Sequence, residues 1–254
     1  MKPLGDCRLY TFVDTAYLHG RDPADVARQL CDGGADIVQF RAKDWTPEAI
    51  RRVAGALAPI AGKAGVWLVI NDHPEIASEV GAPLAHLGQE DFFDAGHTHA
   101  AEITSLDRAR RELPLFPQRE ERTGERRALH DPQHDPLSPS EGAREPLLLG
   151  LSTHSPAQAE RALLATPGYI AIGPVFATPT KPGRPGVTLE YVRWAAKHVP
   201  IPWFAIGGIT LQNLDDVLKA GATRVCVVSD ILNAPDIARA CRAFKDRLTS
   251  AASA

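Results

Sequence analysis

The chain has 254 residues and a formal net charge of −3, with a pI near 6.3. Charged residues make up 23% and hydrophobic residues 44%, a globular balance that excludes a globally disordered chain, and the lack of a positive excess argues against a nucleic-acid or membrane-surface partner. No apolar run approaches the ~20 residues that span a bilayer, the opening MKPLGDCRLYTFVD is too short and mixed for a signal peptide, and four scattered cysteines without a CxxC or CxxH pair suggest neither a zinc finger nor a disulfide framework, so the expectation is a reducing, cytoplasmic setting.

Short, nearly continuous apolar runs predict strands at Arg8–Val13, Asp36–Phe40, Val66–Ile70, Leu84–Leu87, Leu147–Leu151, Tyr169–Ile172, Trp203–Ile206 and Arg224–Val228. Continuous rather than alternating apolarity is expected of parallel strands covered on both faces. Helical patterns lie between them. Asp22–Cys31 opens with Asp-Pro, Thr46–Ala61 with Thr-Pro-Glu and Ser155–Leu164 with Ser-Pro, each pairing an N-cap type with proline in the first turn. Thr210–Ala220 stops at Gly221, and Pro235–Leu248 reads as a final amphipathic helix. Eight strands alternating with helices predict a parallel α/β fold. A length near the roughly 250 residues of a (β/α)8 TIM barrel favours a closed barrel over a doubly wound open sheet. The expectation is a single domain over residues 1–254. Within it, 111–146 carries six prolines, mixed charges and no apolar periodicity, and reads as a flexible surface insertion before the fifth strand.

In such barrels the active site gathers where strands end and βα loops begin. Strand one leads to Asp14. Strand two runs through Gln39, Arg41 and Lys43, which alternation places on one side, and two cations there suit a polyphosphate as well as they suit a solvated edge with surface ion pairs. Strand three ends in Asn71-Asp72, and strand four is followed by Gln89-Glu90-Asp91. Each carboxylate alone is a candidate helix cap. Together, beside a basic strand end, Asp72 and Asp91 favour Mg²⁺, which takes one or two carboxylates plus waters and substrate phosphates. Strand five ends in Ser152-Thr153-His154, without the GxSxG elbow that a serine nucleophile of that kind needs. The loop after strand six offers Thr178, Thr180 and Lys181. Gly207-Gly208 and Val228-Ser229 close strands seven and eight, where these barrels recurrently bind phosphate. His86 reads as a packed core histidine, His97 and His99 as solvated, and Cys226 as a small buried hydrophobe.

Seven segments stand in this order at consecutive strand ends: QFRAK (39–43), ND (71–72), HLGQED (86–91), GLSTH (150–154), GPVFATPTK (173–181), AIGGI (205–209) and VVS (227–229). From about Leu9 to Leu248, the insertion aside, the chain resembles the thiamine phosphate synthase family. The resemblance implies condensation of 4-amino-5-hydroxymethyl-2-methylpyrimidine diphosphate with a thiazole phosphate, giving thiamine phosphate and pyrophosphate, with Mg²⁺ as cofactor and small molecules as the only implied partners. It assigns Gln39, Arg41, Lys43, Asn71, Ser152 and Lys181 to the pyrimidine diphosphate, Asp72 and Asp91 to Mg²⁺, and Thr178, Thr180, Gly208, Val228 and Ser229 to the thiazole phosphate. Arg41, Lys43 and Lys181 would stabilise the charge that grows on the leaving pyrophosphate. Two alternatives stand beside it: the related thiazole tautomerase, which needs neither the basic cluster nor the metal carboxylates, and a non-catalytic thiamine-precursor binding or regulatory protein. The sequence leaves the oligomeric state open.

Overall fold

The computed structural model describes residues 1–104, 147–177 and 187–252. Eight parallel strands close into one barrel in sequence order, with β8 paired back to β1: β1 Leu9–Asp14, β2 Ile37–Arg41, β3 Trp67–Asn71, β4 Leu84–Gly88, β5 Leu148–Thr153, β6 Tyr169–Ile172, β7 Trp203–Ile206 and β8 Val225–Cys226. All eight expected strands are present. The first three shift by one residue toward their C-terminal ends, β4 and β5 run past their expected ends, β6 and β7 match, and β8 is trimmed to two residues because only Val225 and Cys226 pair with both neighbours.

The helices outside the barrel are α1 Pro23–Asp32, α2 Pro47–Ala64, α3 Pro74–Val80, α4 Gln89–Asp94, α5 Pro156–Leu164, α6 Thr188–His198, α7 Leu214–Lys219, α8 Ser229–Leu232 and α9 Ile237–Ala252. Three expected N-caps are in place: Asp22 accepts from the N–H groups of Ala24 and Asp25, Thr46 from Ala49, and Ser155 from Gln158. Each satisfies N–H groups that the first helical turn leaves unpaired. Helix α6 was not anticipated. Its register shows only in the burial of Tyr191, Val192 and Ala195, a spacing too sparse to stand out beside Lys197 and His198. Helix α7 begins four residues later than expected, because Asn213 Oδ1 accepts the N–H of Thr210 and holds 210–213 as a turn. His97 and His99 are not simply solvated: His97 Nδ1 bonds Glu102 and His99 bonds Thr166.

Each strand sends one set of side chains outward to the helices and the alternate set into the barrel, which explains the continuous apolar runs. The outward set, including Val13, Val38, Ile70, Leu151 and Ile170, is fully or almost fully buried. Inside, Tyr10, Tyr169 and Phe204 meet edge to face at 5.3–6.0 Å between ring centroids and plug the barrel. Gly150 makes room for this plug, since a Cβ there would stand 2.1 Å from Tyr169 Cζ. The interior above the plug, at the C-terminal ends of the strands, is open. The expected insertion at 111–146 lies outside the described residues. Strands β4 and β5 on either side of it pair directly, from Leu84↔Leu148 to Gly88↔Ser152.

Candidate active site

The opening above the plug is a cavity of about 390 Å³, within the range of small-molecule sites. Its floor is a chain of hydrogen bonds across the barrel. Gln39 Nε2 donates to the Tyr10 hydroxyl at 2.5 Å, Tyr10 and Tyr169 share a bond of 2.9 Å, and the Tyr169 hydroxyl meets His86 Nδ1 at 3.1 Å. Burial pushes both phenols well above the usual tyrosine range, so they stay neutral and pass hydrogen bonds along. His86 is packed as expected, stacked on Tyr169 at 5.6 Å, but it also lines the cavity.

The walls divide into two unlike halves. On the β1–β4 side stand Asp14, Arg41, Lys43, Asn71, Asp72, Glu90 and Asp91. The parallel register sets Asp14 beside Arg41, and Arg41 Nη1 donates to Asp14 Oδ2 at 2.8 Å. Lys43 Nζ lies 3.6 Å from Asp72 Oδ2. Neither metal candidate serves as a cap. The N-cap of α3 is His73 and that of α4 is Gly88, neither with a side-chain cap bond. Asp72 instead sits in the left-handed backbone region, φ +62°, where non-glycine residues are uncommon. Asp91 folds back over the end of β4, so closely that a Cβ on Gly88 would lie 2.5 Å from its Oδ2.

Two carboxylates opening on one cavity beside two cations fit Mg²⁺, which keeps waters and phosphate oxygens as its other ligands. The described residues contain no group of three or more His, Cys, Asp or Glu that could hold a metal by themselves.

On the β5–β8 side the described wall carries no carboxylate, lysine or arginine: β5 brings Ser152, Thr153 and His154, and β6 to β8 bring mainly backbone and apolar side chain, Gly173, Pro174, Ile206, Gly207, Gly208, Ile209, Cys226 and Val228, with the hydroxyl of Ser229. Gly207 and Gly208 both have positive φ, +104° and +63°. A Cβ on Gly208 would press at 2.8 Å on Phe176 Cβ and on the Ala177 carbonyl oxygen, so only glycine fits where the β6 and β7 loops touch. Asn213 Nδ2 donates to the Gly208 carbonyl at 2.9 Å and steadies this turn. His154 donates from Nδ1 to the Gly173 carbonyl and lines the cavity beside Ser152.

Ten of the thirteen residues singled out from the sequence thus face one cavity: Gln39, Arg41, Lys43, Asn71, Asp72, Asp91, Ser152, Gly208, Val228 and Ser229. Thr178, Thr180 and Lys181 lie outside the described residues. Sequence reasoning gave no role to Asp14, Glu90, His154, Phe12 or Asn213. For Asp14 the signal available was its place at the end of the first strand; for Asn213 there was none, because its work is a contact with a turn five residues earlier.

Among the described residues, no helix is long and apolar enough to cross a membrane. A family model described as thiamine monophosphate synthase matches residues 9–102 and 133–231. A thiamine-phosphate synthase of Thermus thermophilus is 39% identical over 226 residues, covering 88% of both chains. That of Acidothermus cellulolyticus is 36% identical over 252 residues, covering 98% of both. A solved structure of thiamine phosphate pyrophosphorylase from Pyrococcus furiosus superposes with a TM-score of 0.72 at 20% identity, covering 98% of both chains, a likeness that speaks for the fold. With the matched segments spanning the barrel and its strand-end loops, the chain belongs to the thiamine monophosphate synthase family.

Proposed function

We propose that the two halves of the cavity hold the two substrates of the family's condensation. The enzyme is a transferase of thiamine biosynthesis, joining a pyrimidine diphosphate to a thiazole phosphate with loss of pyrophosphate. The observation that carries our division is the asymmetry of the walls among the described residues: cations and carboxylates on the β1–β4 side, glycine backbone, apolar side chains and the Ser229 hydroxyl on the β6–β8 side.

In this reading Arg41 and Lys43 bind the diphosphate, Arg41 with a fork of donors and Lys43 as a point charge. Lys181, by the family resemblance, is the third cation. Asp72 and Asp91 would hold Mg²⁺, which when bound would supply positive charge to the diphosphate. Gln39, Asn71 and Ser152 hold the pyrimidine diphosphate in place, with Gln39 oriented by Tyr10 beneath it. Thr178, Thr180, Gly208, Val228 and Ser229 take the thiazole phosphate through hydroxyl and backbone donors. As the C–O bond to pyrophosphate lengthens, negative charge grows on the leaving group, where the cations stand ready. The pyrimidinyl-methyl carbon becomes electron-poor, and the thiazole nitrogen, held on the opposite wall, forms the new C–N bond. The protein contributes electrostatic stabilisation, alignment and exclusion of water, without a covalent intermediate. The free thiols of Cys7, Cys31, Cys226 and Cys241 support a reducing, cytoplasmic setting.

The test is pyrophosphate release by the purified protein with both substrates and Mg²⁺. Release that needs both substrates and stops in excess EDTA supports the assignment. Release from the pyrimidine diphosphate alone at the same rate, or full activity without a divalent ion, contradicts it.

A further inference from the structure

Asp14 is an anomaly in an anion site. It is a carboxylate with 1% exposure, and it lines the cavity in which a diphosphate must lie. Its charge repels the substrate, so its presence calls for a compensating role. Both of its oxygens are engaged. Oδ1 accepts the N–H of Ala16 at 3.0 Å and Oδ2 accepts Nη1 of Arg41 at 2.8 Å. Register brings the two together, because Asp14 and Arg41 are opposite residues at the last rung of the β1–β2 ladder.

The second cation is held differently. Lys43 and Asp72 stand 3.6 Å apart, with side chains 55% and 35% exposed. An exposed pair of this kind fixes little. The Arg41 side chain is 18% exposed and is tied to a buried carboxylate whose other oxygen accepts the backbone N–H of Ala16 in the following turn. A long guanidinium side chain loses rotamer entropy when it must be ordered by the ligand; one already ordered does not. One terminal nitrogen of the fork meets Asp14, which leaves the rest of the fork for an anion in the cavity.

We propose that Asp14 is a positioning residue that pre-orders Arg41 for the diphosphate, and that this ordering outweighs the repulsion of its own charge. The proposal rests on the assignment of Arg41 to the diphosphate. Charge and order have opposite signs here. If charge dominates, Asp14→Asn tightens anion binding. If order dominates, it weakens it.

The experiment is calorimetric titration of inorganic pyrophosphate, with Mg²⁺ present, into wild type, Asp14→Asn, Arg41→Ala and the double variant, with a thermal melt of each. Asp14→Asn should weaken binding about tenfold in the wild-type background and less than about twofold when Arg41 is already Ala, the signature of one coupled pair. Asp14→Ser retains an oxygen for the Ala16 N–H and loses the one for Arg41. It should reproduce the effect, and it carries the test if Asp14→Asn does not fold. In steady state, KM for the pyrimidine diphosphate should rise while KM for the thiazole phosphate holds, a split that general loosening of the barrel would not produce. Tighter or unchanged binding by Asp14→Asn and Asp14→Ser overturns the proposal, as does an equal loss in both backgrounds. Wild-type affinity in Arg41→Ala is a separate result: it removes Arg41 from the diphosphate site and the proposal with it.

Discussion

Asp72 holds a conformation that its side chain does not favour. A left-handed backbone costs an L-residue roughly 1–2 kcal/mol, less for Asp than for most, and the half-exposed pair with Lys43 returns little of that. A residue kept under strain at a site points to work done there. Asp72→Gly relieves the strain and removes the carboxylate, so it should melt at or above the wild-type temperature while losing more than about tenfold in Mg²⁺-dependent turnover. A variant with wild-type turnover would remove Asp72 from the metal. Gly208 makes the converse case. Gly208→Ala meets both a positive φ and contacts at 2.8 Å, and should cost about 1–3 kcal/mol in unfolding free energy. It should also raise KM for the thiazole phosphate more than KM for the pyrimidine diphosphate, as measured by steady-state kinetics with each substrate varied. Both residues stood out in the sequence by type and position. Their backbone strain did not, because φ is set by how the following loop packs.

At the scale of elements, the opposite end of the barrel is held by Asp36, just before β2. Its Oδ2 accepts the N–H groups of Arg8 and Leu9 at 2.7 and 2.9 Å, and its Oδ1 meets Lys2 Nζ at 2.5 Å as well as Lys245 of α9. One carboxylate thereby joins the N-terminal segment, the β1–β2 start and the final helix. Burial pushes its pKa up, but the two lysines and two backbone donors outweigh burial and hold it below the usual carboxylate range. Folded Asp36 therefore keeps its charge at a pH where the unfolded chain, titrating near ~3.9, takes up a proton. Its stabilisation is fully present above that unfolded value and is lost as pH falls through the folded one. Asp36→Asn should cost about 3 kcal/mol at neutral pH, and the gap from wild type should narrow in urea melts at about pH 3. A gap that stays constant with pH would mean that the charge of Asp36 contributes nothing. This clamp was not legible beforehand, since its members stand at positions 2, 8, 9, 36 and 245 and meet only once the barrel closes.

For the whole molecule, closure is the decisive feature. Every strand has two partners, so the barrel has no edge to protect. Strands β4 and β5 pair over five residues although 59 residues separate Gly88 from Leu148 in the chain. Lengthening a connection costs little, because closure entropy grows only logarithmically with length. Every residue that the sequence assigned to chemistry lies outside 111–146. We therefore expect replacement of 111–146 by a short Gly/Ser linker to leave turnover within a few-fold of wild type and the melting temperature within a few degrees. A collapse of kcat with an intact fold would instead assign that segment to the active site.

The sequence by itself determined the alternation of strands and helices, the barrel and the order of the motifs at the strand ends. These are local or periodic properties: apolar runs mark strands buried on both faces, Asp-Pro, Thr-Pro and Ser-Pro mark helix starts, and βα succession leaves few ways to close a parallel sheet. It also supplied the two cations and two carboxylates, because their types carry the chemistry. Tertiary structure alone decided how these groups are shared out. Register placed Asp14 beside Arg41. The aromatic plug, admitted by Gly150, set the floor and tied Gln39 to His86 across the barrel. The strained turn at Asp72 turned a candidate helix cap toward the cavity. Each of these depends on distances between residues far apart in the chain, and those distances exist only after eight strands have closed on one another.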